Sequence, residues 1–319
     1  MCRFFFFFFA KHRIYGIKPH EDVVEAIEAE GTLDHICVDA ELGPIGTRAV
    51  ITGLTGQAEG LGAPYKQLTT LRLLRSNVGE EGARAIGEYL ALGNGPEADR
   101  ICILQFLQLL DCNITPLSCK YIGESLAMGS NKTLLTLNLD YNVKLGTAGL
   151  RALTNGLCSN SIIKRLSLSY CGIDDTGGRA VKNILLTIGT QLEELNLKGN
   201  RLGAQGLIAF SKALGNNKVL RSLDFSDNAV GVEIPALMAL AEALKINDTL
   251  VELKFDENHI EEAGAQALLD SGALDKKEGN TSLKIFTCDV KIPEALFEAL
   301  FRGGGGGGKK GGKKGKKKK

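Results

Sequence analysis

Apolar residues return along the chain as a short triplet, L-x-x-L-x-L, every 28 to 36 residues. Clear copies are Leu68/Leu71/Leu73, Leu104/Leu107/Leu109, Leu134/Leu137/Leu139, Ile163/Leu166/Leu168, Leu192/Leu195/Leu197, Leu220/Leu223/Phe225 and Leu250/Leu253/Phe255. Weaker copies stand at Leu33/Ile36/Val38 and Leu283/Phe286/Cys288. From Leu104 the starts advance by 30, 29, 29, 28, 30 and 33 residues; the two earlier steps, 35 and 36, imply longer loops. Apolar positions two apart predict a short strand. The stretch after it changes to helical spacing, as with Leu207, Phe210 and Leu214, which predicts a helix over 206–214. Similar helices are expected over 83–92, 235–244 and 263–269. One strand–helix unit cannot bury its leucines alone, whereas about nine stacked units build a continuous core.

Polar residues punctuate the same period. Three positions after the last apolar residue come Cys112, Asn142, Cys171, Asn200, Asn228 and Asn258, with Ser76 in the equivalent place. There the chain leaves the strand, and a short buried side chain can bond the backbone groups of a neighbouring turn. A second set, Asn131, Asn160, Asn217, Asn247 and Asn280, sits three residues before each following triplet. These are expected to end the helices in the left-handed conformation.

On these residues the chain resembles the leucine-rich repeat superfamily, in the long α/β subtype seen in ribonuclease inhibitor, the C-terminal repeats of NLR receptors and RanGAP. The resemblance covers about residues 33–290. It implies an α/β solenoid, a horseshoe with parallel strands on the concave face and helices on the convex face. Terminal units need caps, and segments 19–27 and 293–301, each opened by proline, are expected to supply them. Residues 19–302 are thus expected to form one repeat domain. Residues 1–18, with six consecutive phenylalanines, and the Gly/Lys-rich residues 303–319 are expected to be disordered low-complexity ends.

Side chains between the leucines should point out of the concave face. The inter-leucine position supplies Arg72 and Asp224. The two positions after the third leucine supply Arg75, Asp111, Asp140, Tyr141, Tyr170, Asp227, Asp256 and Glu257. Tyr141 and Tyr170 fall at equivalent places of adjacent repeats, and tyrosine gives a stiff contact area with a polar tip. Together these ten residues are the candidate partner-binding set, with the acids expected to cluster two or three repeats beyond the tyrosines. The expected function is a non-catalytic scaffold for a protein partner with a basic, partly apolar surface. A RanGAP-like activator of a small GTPase is the alternative; the acidic stretch that follows the repeats in RanGAP is replaced here by lysines.

Charge separates body from ends. Of 319 residues, 38 are Lys or Arg and 37 Asp or Glu, a net +1. The first eighteen residues hold four basic residues and the last seventeen hold eight, with no acid in either. Residues 19–302 therefore carry 26 basic against 37 acidic residues, or −11. The tail lysines Lys309, Lys310, Lys313, Lys314, Lys316, Lys317, Lys318 and Lys319 make a polycation suited to sequence-blind contact with nucleic acid or anionic lipid. Nothing in the chain has the length of an apolar membrane span. No catalytic motif, metal-ligand spacing or cofactor fingerprint is present, so no enzyme, metal or cofactor is expected. Eight cysteines without CxxC suggest reduced thiols in the cytoplasm or nucleus.

Overall fold

The computed structural model describes residues 34–56, 64–127, 129–275, 277–289 and 291–303. The N-terminal segment, the expected cap over 19–27, Leu33 and the tail lysines lie outside the described residues.

Among the described residues nine strands form one parallel sheet in chain order, β1 to β9. They are His35–Asp39, Thr70–Leu74, Phe106–Leu110, Thr136–Asn138, Arg165–Ser167, Glu194–Asn196, Ser222–Asp224, Glu252–Lys254 and Ile285–Thr287. Each is centred on the triplet. The register runs Ile36, Leu71, Leu107, Leu137, Leu166, Leu195, Leu223, Leu253, Phe286 across the whole sheet. That single line of buried side chains is the reason the repeat keeps its spacing.

An α-helix follows every strand. In order, α1 to α9 are Gly43–Thr55, Gly79–Ala91, Pro116–Leu126, Gly146–Leu157, Gly178–Leu185, Gly203–Asn216, Ile234–Ile246, Glu261–Asp270 and Glu294–Leu300. Several begin earlier than their apolar spacing suggests. In α2, α4 and α6 the glycine after the turn's apolar residue is already the first helical residue. Its N–H donates to a carbonyl of the next repeat, as from Gly146 to Cys171 and from Gly203 to Asn228. The free N–H groups that open a helix are thus satisfied by the neighbouring unit rather than by a side-chain cap. Among the described α-helices only α3 has a conventional cap, Thr115 Oγ1 accepting from Ser118 N.

The leucines, with Phe210, Phe225 and Phe255, fill the space between sheet and helices. Phe210 meets Phe225 edge-on at 5.3 Å, and Phe225 stacks on Phe255 at 6.0 Å. Helices α3 and α4 pass in close contact at Gly123 and Gly156, where a Cβ on Gly156 would collide with the Gly123 carbonyl oxygen. After α9 the chain turns back on β9. Phe286 and Arg302 exchange two backbone hydrogen bonds as an antiparallel bridge. The Arg302 guanidinium donates to the carbonyls of Asn280, Leu283 and Asp275 at 2.6–2.9 Å.

Candidate partner-binding surface

The open face of the sheet presents two rows of side chains. One is the inter-leucine row, including Arg72, Gln108, Asn138, Ser167, Asn196, Asp224 and Lys254. The other lies two residues upstream on the same strands: Phe106, Thr136, Arg165, Glu194, Ser222 and Glu252. The sequence reading missed this second row, although a period of two puts it on the same face. Both rows line a cleft of about 410 Å³ from β4 to β8.

This floor bonds to itself. Arg165 Nε donates to Thr136 Oγ1 at 3.0 Å, Asn196 Nδ2 to Ser167 Oγ at 3.0 Å, and Ser222 Oγ to Glu252 Oε2 at 2.7 Å. Arg72 Nε donates to Gln108 Oε1 at 2.7 Å, and its guanidinium lies 5.7 Å from the Phe106 ring centre. A partner would have to replace such bonds, so little affinity is expected from the floor.

Two members of the candidate set are taken up in hydrogen bonds to the next strand, and only the first of them is buried. Asp140 is buried, a departure from its expected open position. Its carboxylate accepts from Ser167 Oγ at 2.6 Å, Ser169 N at 2.7 Å and Asn138 Nδ2 at 2.9 Å. The chain is already bending there, and the short side chain folds across the next strand instead of projecting. Asp256 similarly accepts from the Thr287 hydroxyl. Asp224 accepts from Ser226 N and stands in register with Lys254. The expected acid cluster therefore divides, with only Asp227 and Glu257 left on the rim.

That rim is a row of left-handed residues just past the strands: Arg75, Asp111, Tyr141, Tyr170, Gly199, Asp227 and Glu257, with φ between 52° and 68°. Their backbone N–H groups continue the parallel ladder, as from Tyr141 to Ser169 O and from Tyr170 to Lys198 O, each 2.8 Å. Tyr141 and Tyr170 stack with centroids 5.0 Å apart and planes 15° from parallel. Gly199 makes this possible, because a Cβ there would run into the Tyr170 ring. Tyr170 lies over Gly199, Tyr141 lies on Tyr170, and Tyr141 remains 50% exposed. At the other end Arg75 is paired with Asp39, with Nε–Oδ1 at 2.9 Å; that hydrogen bond raises the arginine pKa further.

Behind the rim run two internal ladders. Asn142 Oδ1 accepts from Cys112 N and Ile114 N, while its Nδ2 donates to Leu109 O and Leu139 O. Asn200 repeats this with Cys171 N and Leu168 O, Asn228 accepts from Leu202 N, and Asn258 from Asn228 N. Cys112 Sγ and Cys171 Sγ donate to Leu73 O and Leu139 O. Burial pushes both thiols up to about 12.

The second asparagine set forms another ladder, not a row of left-handed helix ends. Asn217 and Asn247 are extended, with φ of −69° and −74°. Nδ2 of Asn131, Asn160, Asn217, Asn247 and Asn280 donates to Leu90, Leu126, Leu185, Leu214 and Leu244 of the preceding repeat at 2.6–2.8 Å. The carbonyls left free at each helix end are satisfied in this way. Among the described residues no His, Cys, Asp or Glu group could hold a metal ion. No described helix is long and apolar enough to cross a membrane.

The leucine-rich repeat family model matches residues 130–153, 159–182, 190–211 and 216–234. Nine described strand–helix units along one parallel sheet give the chain a leucine-rich repeat fold, similar in its repeats to the ribonuclease-inhibitor type. Among individual relatives, ribonuclease inhibitor of Sus scrofa is 33% identical over 205 residues, which is 64% of this chain and 42% of that protein. Ribonuclease inhibitor of Mus musculus is 27% identical, over 85% of this chain and 61% of its own length. NACHT, LRR and PYD domains-containing protein 14 of Mus musculus is 29% identical, over 66% of this chain and 20% of its own length. The chain thus spans less than two thirds of each of these relatives.

Proposed function

We propose that this chain is a non-catalytic scaffold that captures a protein partner on the rim and open face of its sheet. The observation that carries this reading is the Tyr141–Tyr170 stack seated on Gly199. The stack offers a rigid, half-exposed aromatic surface and loses little side-chain freedom on binding. Asp111 on one side and Asp227 and Glu257 on the other favour a basic partner, and the −11 charge of residues 19–302 would steer it in. Two of the relatives are named for inhibiting ribonuclease, which makes a basic ribonuclease the first partner to try. All seven described cysteines are free, which fits a cytoplasmic setting.

The test is affinity capture from cell extract, with partners identified by mass spectrometry, using the wild type and the double variant Tyr141→Ala/Tyr170→Ala. The double variant is expected to keep its circular dichroism and to lose at least tenfold in affinity for the wild type's partner. Equal recovery of that partner by both proteins would sink the proposal.

A further inference from the structure

Beside the tyrosine stack, on the side away from Gly199, the rim opens into a second cleft of about 470 Å³. Its walls include Glu41, Arg75, Asp111, Tyr141, Val143 and Lys144. Tyr170 covers one face of the Tyr141 ring, leaving the opposite face toward the preceding repeat and Asp111. Val143, 67% exposed, extends the apolar wall. At the base, Asn113 Nδ2 donates to Asn77 Oδ1 at 2.9 Å, so that amide pair is already occupied.

The charges leave a defined deficit. Arg75 is neutralised by Asp39. Glu41 and Asp111 make no ion pair within 4 Å among the described residues, and Lys144 is the one remaining cation in the cleft. Two carboxylates against one ammonium leave a net charge of −1 beside an open aromatic face.

Resting on the protein-binding reading above, we infer that this cleft receives an arginine side chain of the partner. The planar guanidinium stacks on the tyrosine face while its edge donates to the Asp111 carboxylate one strand away. The aliphatic stem lies against Val143. A lysine ammonium, compact and strongly hydrated, cannot make the stacked and the forked contact together. A carboxylate ligand would meet the wrong charge.

The test does not need the partner. N-acetyl-arginine amide is titrated into the full chain labelled with ¹³C-tyrosine and followed by NMR, with the Tyr141 resonance assigned by its loss in Tyr141→Leu. Matched titrations use the lysine and citrulline derivatives. A saturable Tyr141 shift is expected with arginine, weakened about fivefold by Asp111→Asn and absent with citrulline. Asparagine accepts the left-handed backbone at this position (φ 52°), so the variant should fold. An equal response to citrulline or lysine, no effect of Asp111→Asn, or no saturable shift with arginine would overturn the inference. The two proposals fail separately. Partner capture lost in the tyrosine double variant without any arginine response removes only the cleft, whereas an arginine response with capture indifferent to the tyrosines removes only the scaffold reading.

Discussion

A tyrosine or acidic residue in the left-handed conformation sits about 1–2 kcal/mol above its preferred backbone state. The rim holds five such residues, Arg75 as a sixth side chain in the same conformation and, at Gly199, one glycine that avoids the cost. Glu257 makes the effect measurable, since it is exposed and left-handed at φ 59°. Glu257→Gly should raise stability by roughly 0.5–1 kcal/mol in urea unfolding, after allowing for glycine's larger unfolded-state entropy. The neighbourhood of Tyr141 and Tyr170 could be read from repeat spacing, because equivalent positions of adjacent units must adjoin. Their left-handed backbone and the seat at Gly199 could not, because both depend on how the next turn packs. Asp140 departs from its expected direction for a related reason: alternation predicts direction within a strand and stops applying where the chain bends. The buried thiols give a pH test. Burial raises Cys112, Cys171 and Cys288 to about 12 and Cys102 to about 11, so the folded state holds protons that the unfolded state releases near pH 9. Their contribution is intact below that pH and is lost as pH rises toward the folded values, by about 1.4 kcal/mol per unit for each thiol. Stability from denaturant titration should therefore fall steeply above pH 9, and replacing Cys288 by Ala should make the fall shallower.

At the scale of the elements, strands and helices are joined to their neighbours by side chains acting as backbone substitutes. Removing Asn142 would strand two buried N–H donors, take its donor from Leu109 O, and leave Leu139 O with the weak Cys171 thiol bond. Asn142→Ala should cost about 3 kcal/mol or more, read as a lower urea midpoint. Gly156→Ala should cost about 1–3 kcal/mol by forcing α3 and α4 apart at Gly123. The first ladder was legible because its position is fixed relative to the leucines. The second is visible as a period, but its chemistry differs from what that period alone predicts. Local propensity favours asparagine at a left-handed helix end, while the neighbouring repeat offers unpaired carbonyls that hold it extended. Helices start earlier than the apolar spacing predicts because glycine, which usually punctuates, here opens the helix.

For the whole molecule, the triplets located all nine strands in order, since each unit contacts chiefly its neighbours. The surface was less legible. The upstream row of Arg165, Glu194 and Glu252 carries no fixed residue type, and only strand alternation brings it to the open face. At this scale charge governs encounter. Association with a basic partner should slow as ionic strength rises from 50 to 200 mM by roughly tenfold, with a smaller change in dissociation rate, measurable by stopped flow. Deleting residues 303–319 should abolish retention on heparin while leaving the tyrosine-dependent capture in place.

The antiparallel bridge between Arg302 and Phe286 also bears on how the protein can be mounted. Passing from Arg302 to Gly303, the chain runs against β9, toward the edge where the strands begin. Tyr141, Tyr170 and Asp111 stand at the edge where the strands finish. A biotin or solid support joined through an engineered cysteine at Gly303 itself would therefore approach from the far side and present the tyrosine rim to solution. Attachment through an engineered cysteine at Glu257 would hide that rim, so the two orientations on one sensor chip offer a direct comparison of which edge does the binding.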